Sequence, residues 1–216
     1  MRLVTSLYIL LFATCLLNIA NAQGDINNEN FTYTFGNGAN GAQVIYNGKS
    51  HAFSFDIPGK KVKEQLVDGK QPNQVFLDAD TNVIQISLIP LPQPIPAAMQ
   101  LSNLTADEAK QTLEGYVNYE LDYMEKDLKV NPHNVKKEWK TINSKLVLVW
   151  YFEFDSNAKI TGKTITAQAY YSSICFNQVV DLNMPLYLPA DAIAANAMLN
   201  SIQLSLKTYN MQLNDK

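Results

Sequence analysis

The sequence predicts an α+β fold: an antiparallel β-sheet of hairpins flanked by one long helix and one C-terminal helix. Three observations carry this expectation. Pairs of strand-like runs repeatedly turn back through short polar links. A single stretch, Thr105 to Asn131, combines a capping signature with sustained helical periodicity. An apolar run opened by Pro189 then closes the chain. The composition suits a packed domain, with 216 residues, 47% hydrophobic and 17% charged. A net charge of −3 gives no electrostatic reason to bind nucleic acid. Two cysteines make neither a disulfide scaffold nor a four-cysteine zinc site.

Residues 1–22 read as a secretory signal peptide. Arg2 supplies the positive start, Leu3 to Leu17 the apolar run, and Ala20-Asn21-Ala22 the small residues of a cleavage site before Gln23. Asn18 and Asn21 interrupt the run too early for the roughly 20 apolar residues of a membrane span. Lipidation at Cys15 fits poorly, because Thr14 is large for the position before a lipidated cysteine. The expected mature chain is therefore secreted or periplasmic and has no transmembrane segment. It also loses Arg2, the only arginine in the sequence. Bidentate guanidinium recognition of phosphate or carboxylate is then excluded. Cys175 is left without a disulfide partner.

Residues 23–42 are rich in Asn and Gly and are expected to form a flexible lead-in, with a short extended piece at Phe31 to Phe35. The single domain is expected to span 43–216. Asn47-Gly48 predicts a two-residue hairpin, since both turn positions need φ > 0. In the strand that follows, Phe53, Phe55 and Ile57 share one face, as in a half-buried antiparallel strand. Gln74 to Leu77 and Val83 to Ile89 predict a second hairpin. Alternating prolines from Pro90 to Pro96 force extended geometry, suited to a crossover at a sheet edge or to docking in an aromatic groove.

Thr105-Ala106-Asp107-Glu108 is a capping box, and Asn131-Pro132 is the expected end of the long helix. Ala106, Ala109, Leu113, Val117, Leu121, Met124 and Leu128 fall on one arc that must cover a sheet face. Glu120 lies within that arc, so it is either a buried carboxylate with a raised pKa or an edge group meeting a lysine or a tyrosine hydroxyl. Tyr116, Tyr119 and Tyr123 flank the arc. They are the candidate ligand- or partner-binding residues, against the plainer reading of a core boundary. A third hairpin turns at Asn143-Ser144, and its second strand is apolar on both faces, as a central strand is. Thr161 to Phe176 and Gln178 to Met184 predict a fourth. The last helix is expected to reach about Leu206, with Ile193, Ala194, Ala197, Met198 and Ile202 as its apolar side.

Several motifs imitate chemistry. Gly36-Asn37-Gly38-Ala39-Asn40-Gly41 has dinucleotide-loop spacing but precedes a hairpin instead of a helix. Gly48-Lys49-Ser50 and Gly162-Lys163-Thr164 lack the upstream glycine of a phosphate loop. Asp78, Asp80 and Asn82 open a calcium-loop pattern that fails at Val83 and Ile89, so they read as a hairpin tip. His51 and His133 stand apart from any metal-ligand spacing. A Cys175 thiol would need one of them beside it in space. The sequons at Asn30 and Asn103 are expected by chance in so Asn-rich a chain. No cofactor or metal is expected.

One resemblance draws these elements together. The strand Phe53-Ser54-Phe55-Asp56-Ile57-Pro58 is followed by an Ile-rich strand ending in Ile89-Pro90-Leu91-Pro92. A helix then begins near Leu104-Thr105 with Asp107-Glu108, and two hairpins and a final helix complete the order. From Gln43 to Leu206 this resembles the PsbP/DcrB-like α/β sandwich superfamily. The resemblance implies an antiparallel sheet between helices. It also implies a mostly non-catalytic role as an extrinsic subunit, envelope lipoprotein or partner-binding adaptor. It transfers no site residue. The expected function is thus that of an exported, non-catalytic accessory protein with a protein partner. The alternatives are a carrier of an apolar ligand between sheet and long helix, and a thiol hydrolase using Cys175.

Overall fold

A computed structural model describes residues 30–38, 40–67, 73–91, 104–155, 159–160, 163–176, 178–188 and 191–210. The leader, Asn103, the proline run beyond Leu91, and Pro189 lie outside the described residues.

The strands form two main antiparallel sheets. The smaller joins β1 (Thr32–Gly38), β2 (Gly41–Asn47), β3 (His51–Pro58) and β13 (Lys207–Asn210), in the order β1-β2-β3-β13. The larger joins β4 (Val62–Glu64), β5 (Gln74–Ala79), β6 (Asn82–Pro90), β7 (His133–Ile142), β8 (Lys145–Glu153), β11 (Ala167–Cys175) and β12 (Gln178–Leu186). Its order is β4-β5-β6-β12-β11-β8-β7. A two-stranded hairpin, β9 (Lys159–Ile160) with β10 (Lys163–Thr164), stands apart. The helices are α1 (Ala106–Lys126) and α2 (Asp191–Ser205). This is the α+β antiparallel sandwich expected, with one refinement: the first hairpin belongs to a sheet of its own.

Strand alternation sends apolar side chains to both faces of the larger sheet. On one face, Leu148, Trp150, Phe152 and Tyr170 meet Leu113, Val117 and Met124 of α1. On the other, Val147, Ile84, Ile86, Val180 and Leu182 meet Val44, Tyr46, Phe53 and Phe55 of the smaller sheet and Leu199 and Ile202 of α2. Tyr46 is fully buried and donates its hydroxyl to the carbonyl of Ile86 at 3.2 Å, tying one sheet to the other. Burial pushes its phenol well above the ordinary range.

The capping box is present: the Glu108 amide donates to Thr105 Oγ1 at 3.3 Å, and the Thr105 amide donates to Glu108 Oε2 at 2.9 Å. Asn143 (φ 49°) and Ser144 (φ 60°) make the two-residue turn expected between β7 and β8. At the β5–β6 tip, Asp80 accepts from the amides of Lys60 and Lys61, so its carboxylate fixes a loop.

Four expectations are corrected. Within the lead-in, residues 32–38 form strand β1, which pairs with β2 along its whole length. Its turn needs Gly41 at φ 146°, where a Cβ would lie 2.1 Å from the carbonyl of Ile57. The β2–β3 link is longer than two residues, with Asn47 opposite Ala52. Helix α1 stops at Lys126, capped by Asp127, well before Pro132. Finally, α2 buries Ala195, Leu199, Ile202 and Gln203, whereas Ile193, Ala194 and Ala197 face solvent. Its residues are apolar on nearly every side, so periodicity alone did not choose a face.

Candidate functional site

Polar side chains collect on the face of the larger sheet that α1 covers. Cross-strand register builds them into two rows, since directly opposed residues project to the same face. The first row runs Gln74, Ser87, Asp181, Ser172 across β5, β6, β12 and β11. The second runs Gln85, Asn183, Tyr170, Trp150 across β6, β12, β11 and β8. All eight are buried, and so is neighbouring Gln168.

Burial of this much polar surface is tolerable only when it is hydrogen-bonded. Ser172 Oγ donates to Asp181 Oδ1 at 2.5 Å and accepts from Trp150 Nε1 at 2.9 Å. Asn183 Nδ2 donates to Asp181 Oδ2 at 3.3 Å, and Gln168 Nε2 donates to Asn183 Oδ1 at 3.0 Å. Gln85 Nε2 donates to Ser87 Oγ at 2.7 Å. From above, Tyr116 of α1 hydrogen-bonds Asp181. The Trp150 and Tyr170 rings stack with centroids 3.9 Å apart and wall one end.

Asp181 is the electrostatic centre. Burial pushes its carboxyl up to about 6, opposed by the bonds from Ser172, Asn183 and Tyr116. No lysine or histidine is among the groups that shift it. The group therefore exchanges its proton near neutrality without a cationic neighbour to hold the charge.

The structure divides the tyrosine row found in the sequence. Tyr116 turns inward onto this cluster, Tyr123 is half-buried, and Tyr119 is 57% exposed. Glu120, one turn after Tyr116, is buried, so it does not lean out to an exposed edge. The layer beneath α1, considered for an apolar ligand, holds the aromatic stack and these polar rows.

The other candidates fall elsewhere. Cys175 is buried, and burial pushes its thiol up to about 12, so it holds its proton at neutral pH and offers no thiolate. His51 stacks on Phe176, ring centroids 4.1 Å apart, and His133 Nδ1 sits 3.3 Å from the carbonyl of Asn131. Neither belongs to the rows around Ser172 and Asp181. Among the described residues no group of three or more His, Cys, Asp or Glu is placed to hold a metal ion. No described helix is long and apolar enough to cross a membrane.

Sequence reasoning missed the polar rows. Their signal is there, as Asp181 and Asn183 alternate with Val180 and Leu182, and Gln168 and Ser172 are likewise spaced along β11. That pattern reads as an ordinary solvated sheet face until α1 is seen to cover it.

A second feature lies on α2. Its exposed residues are Ile193, Ala194, Ala197, Ser201 and Leu204. None is charged, and Ile193 is 81% and Leu204 54% exposed. The exposed side of α1, by contrast, carries Asp107, Glu108, Glu114, Asp122, Glu125 and Lys126. Leu188, just before α2, is 62% exposed.

No protein-family model matches the chain, and no curated protein matches it. Among solved structures it is similar to the solution structure of cyanobacterial PsbP (CyanoP) from Synechocystis sp. PCC 6803. That similarity covers 89% of this chain and 100% of that one, at 8% sequence identity and a TM-score of 0.44.

Proposed function

We propose that this is an exported, non-catalytic accessory protein that works by binding a protein partner through the outer face of α2. The observation that carries the reading is the uncharged, apolar exposed side of that helix. A helix resting on its own domain ordinarily shows water a charged face, as α1 does. An uncharged helix side that leaves large apolar residues such as Ile193 and Leu204 in water is the kind of surface a partner covers. Tyr119, 57% exposed, is the outward member of the α1 row. Export is proposed on the leader at residues 1–22, with cleavage between Ala22 and Gln23.

The test is affinity capture from envelope extract with the wild-type chain beside an Ile193→Asp/Leu204→Asp variant. Both positions are exposed, so the variant should melt at the wild-type temperature. A discrete partner captured by the wild type and lost in the variant is the expected result. Equal capture by both chains, or none by either, contradicts the reading.

A further inference from the structure

We propose that β1 is a docking strand for a second copy of this chain, the two strands pairing antiparallel about Phe35 into one continuous eight-stranded sheet. The argument begins with sheet edges, which proteins protect because an open row of amides and carbonyls recruits another strand. The two main sheets give four edges among the described residues. Strand β7 carries Lys136, Lys137 and Lys140, and its pairing is broken by an irregularity between His133 and Lys136. Strand β4 has three residues, and β13 has four and begins with Lys207. Each of these uses a recognised protection: charge, a bulge or shortness.

Strand β1 uses none of them. Its seven residues, Thr32-Tyr33-Thr34-Phe35-Gly36-Asn37-Gly38, include no charge and no proline. Among the described residues no strand pairs with its outer edge. Tyr33 and Phe35 pack against the core only in part.

Charge and symmetry favour a second copy as the occupant. An uncharged strand meets itself without the repulsion that β7, with its three lysines, would suffer. Two-fold symmetry is the commonest way for like chains to associate, and antiparallel pairing of two copies of one edge strand within a single sheet puts the axis normal to that sheet. Such an axis keeps Tyr33 and Phe35 of both copies on the core side only if one residue pairs with its own counterpart, because a one-residue slip reverses every side chain. Centring on Phe35 uses the whole strand. Thr32 then faces Gly38 of the other copy, Tyr33 faces Asn37, Thr34 faces Gly36, and Phe35 meets Phe35. The half-buried rings of both chains gain cover on the inner face. This edge is distinct from α2, so either surface can fail without the other.

The test reads amide exchange in the exported chain across a concentration series. By mass action, a hundredfold rise in concentration spanning the dissociation constant slows amides that exchange only from monomer by roughly fivefold. The expected result is such slowing confined to β1, with a sedimenting mass that doubles. Two variants fix the register. In Thr34→Lys/Gly36→Lys, lysines oppose lysines across the axis. In Thr34→Lys/Gly36→Glu, each lysine meets a glutamate. Position 34 is exposed and a Cβ at position 36 meets nothing within 4 Å, so the monomer accepts both. The first should abolish the concentration dependence and the second restore it. Exchange of β1 that is independent of concentration overturns the proposal, whether fast from an open edge or slow because residues 23–29 cover it. A dimer that protects α2 instead, or one indifferent to the double-lysine variant, also overturns it.

Discussion

Replacing Asp181 by asparagine should make the protein's stability less dependent on pH. The carboxyl sits at about 6 in the folded chain against an ordinary 3.8, and burial is the first cause. A carboxyl raised on folding binds its proton more tightly in the native state. Its contribution to stability is complete below the unfolded value and is lost as pH rises through the folded one. The shift of about two pKa units, at 1.36 kcal/mol each, is worth about 3 kcal/mol in full; because the unfolded carboxyl is already largely ionised at pH 4, about 2 kcal/mol of it is lost between pH 4 and pH 7. Asparagine keeps the size and polarity of the group and cannot ionise. Urea denaturation of wild type and Asp181→Asn at intervals from pH 4 to pH 7.5 measures the difference directly. Any change in the bonds to Ser172 and Tyr116 common to all pH values shifts both ends of the comparison equally. The stability of the variant relative to wild type should rise by about 2 kcal/mol across that window. A difference that stays flat would show that Asp181 is not held in a dry, unbalanced site and would refute the electrostatic reasoning.

Three further outcomes are expected. Thr105→Ala removes the N-cap acceptor of α1 and should lower stability by about 1 kcal/mol in chemical denaturation. Gly41→Ala forces a Cβ to within 2.1 Å of the carbonyl of Ile57 at a positive φ, so it should destabilise by more than about 1 kcal/mol, read as a lowered melting temperature. Cys175 should resist a thiol reagent at pH 8 in the native chain and react fully once urea unfolds it, since its thiol lies near 12 and is buried. Fast labelling of the native chain would contradict that burial.

What the sequence disclosed, it disclosed through local physics. The capping box at Thr105 and Glu108 works within one helical turn, and the Asn143-Ser144 turn needs only two left-handed residues, so both were legible. The alternation of Phe53, Phe55 and Ile57 likewise marks a face without reference to anything distant. Features decided by distant partners were not legible. Strand β1 looks like loose Asn/Gly chain until β2 folds back on it. The inner face of α2 is chosen by the sheets it meets, because Ile193 and Leu199 are equally apolar and only one is buried. The fourth strand of the smaller sheet, β13, pairs with β3 from about 150 residues further along the chain, so local pattern could not announce it. Asp181 is the sharpest case. A carboxylate in a strand ordinarily faces water, and only the placement of α1 over β11 and β8 makes this one dry. The tyrosine row was legible as a row, but its division into an inward Tyr116 and an outward Tyr119 was not.

The most direct test of partner binding places a photoreactive residue at Ile193 and, as a control, at exposed Glu114 on the charged side of α1. Illumination in the native envelope should give one discrete heterologous adduct from position 193 and none from position 114. No adduct from 193, or the same adducts from both positions, would contradict the assignment of α2 as the binding face.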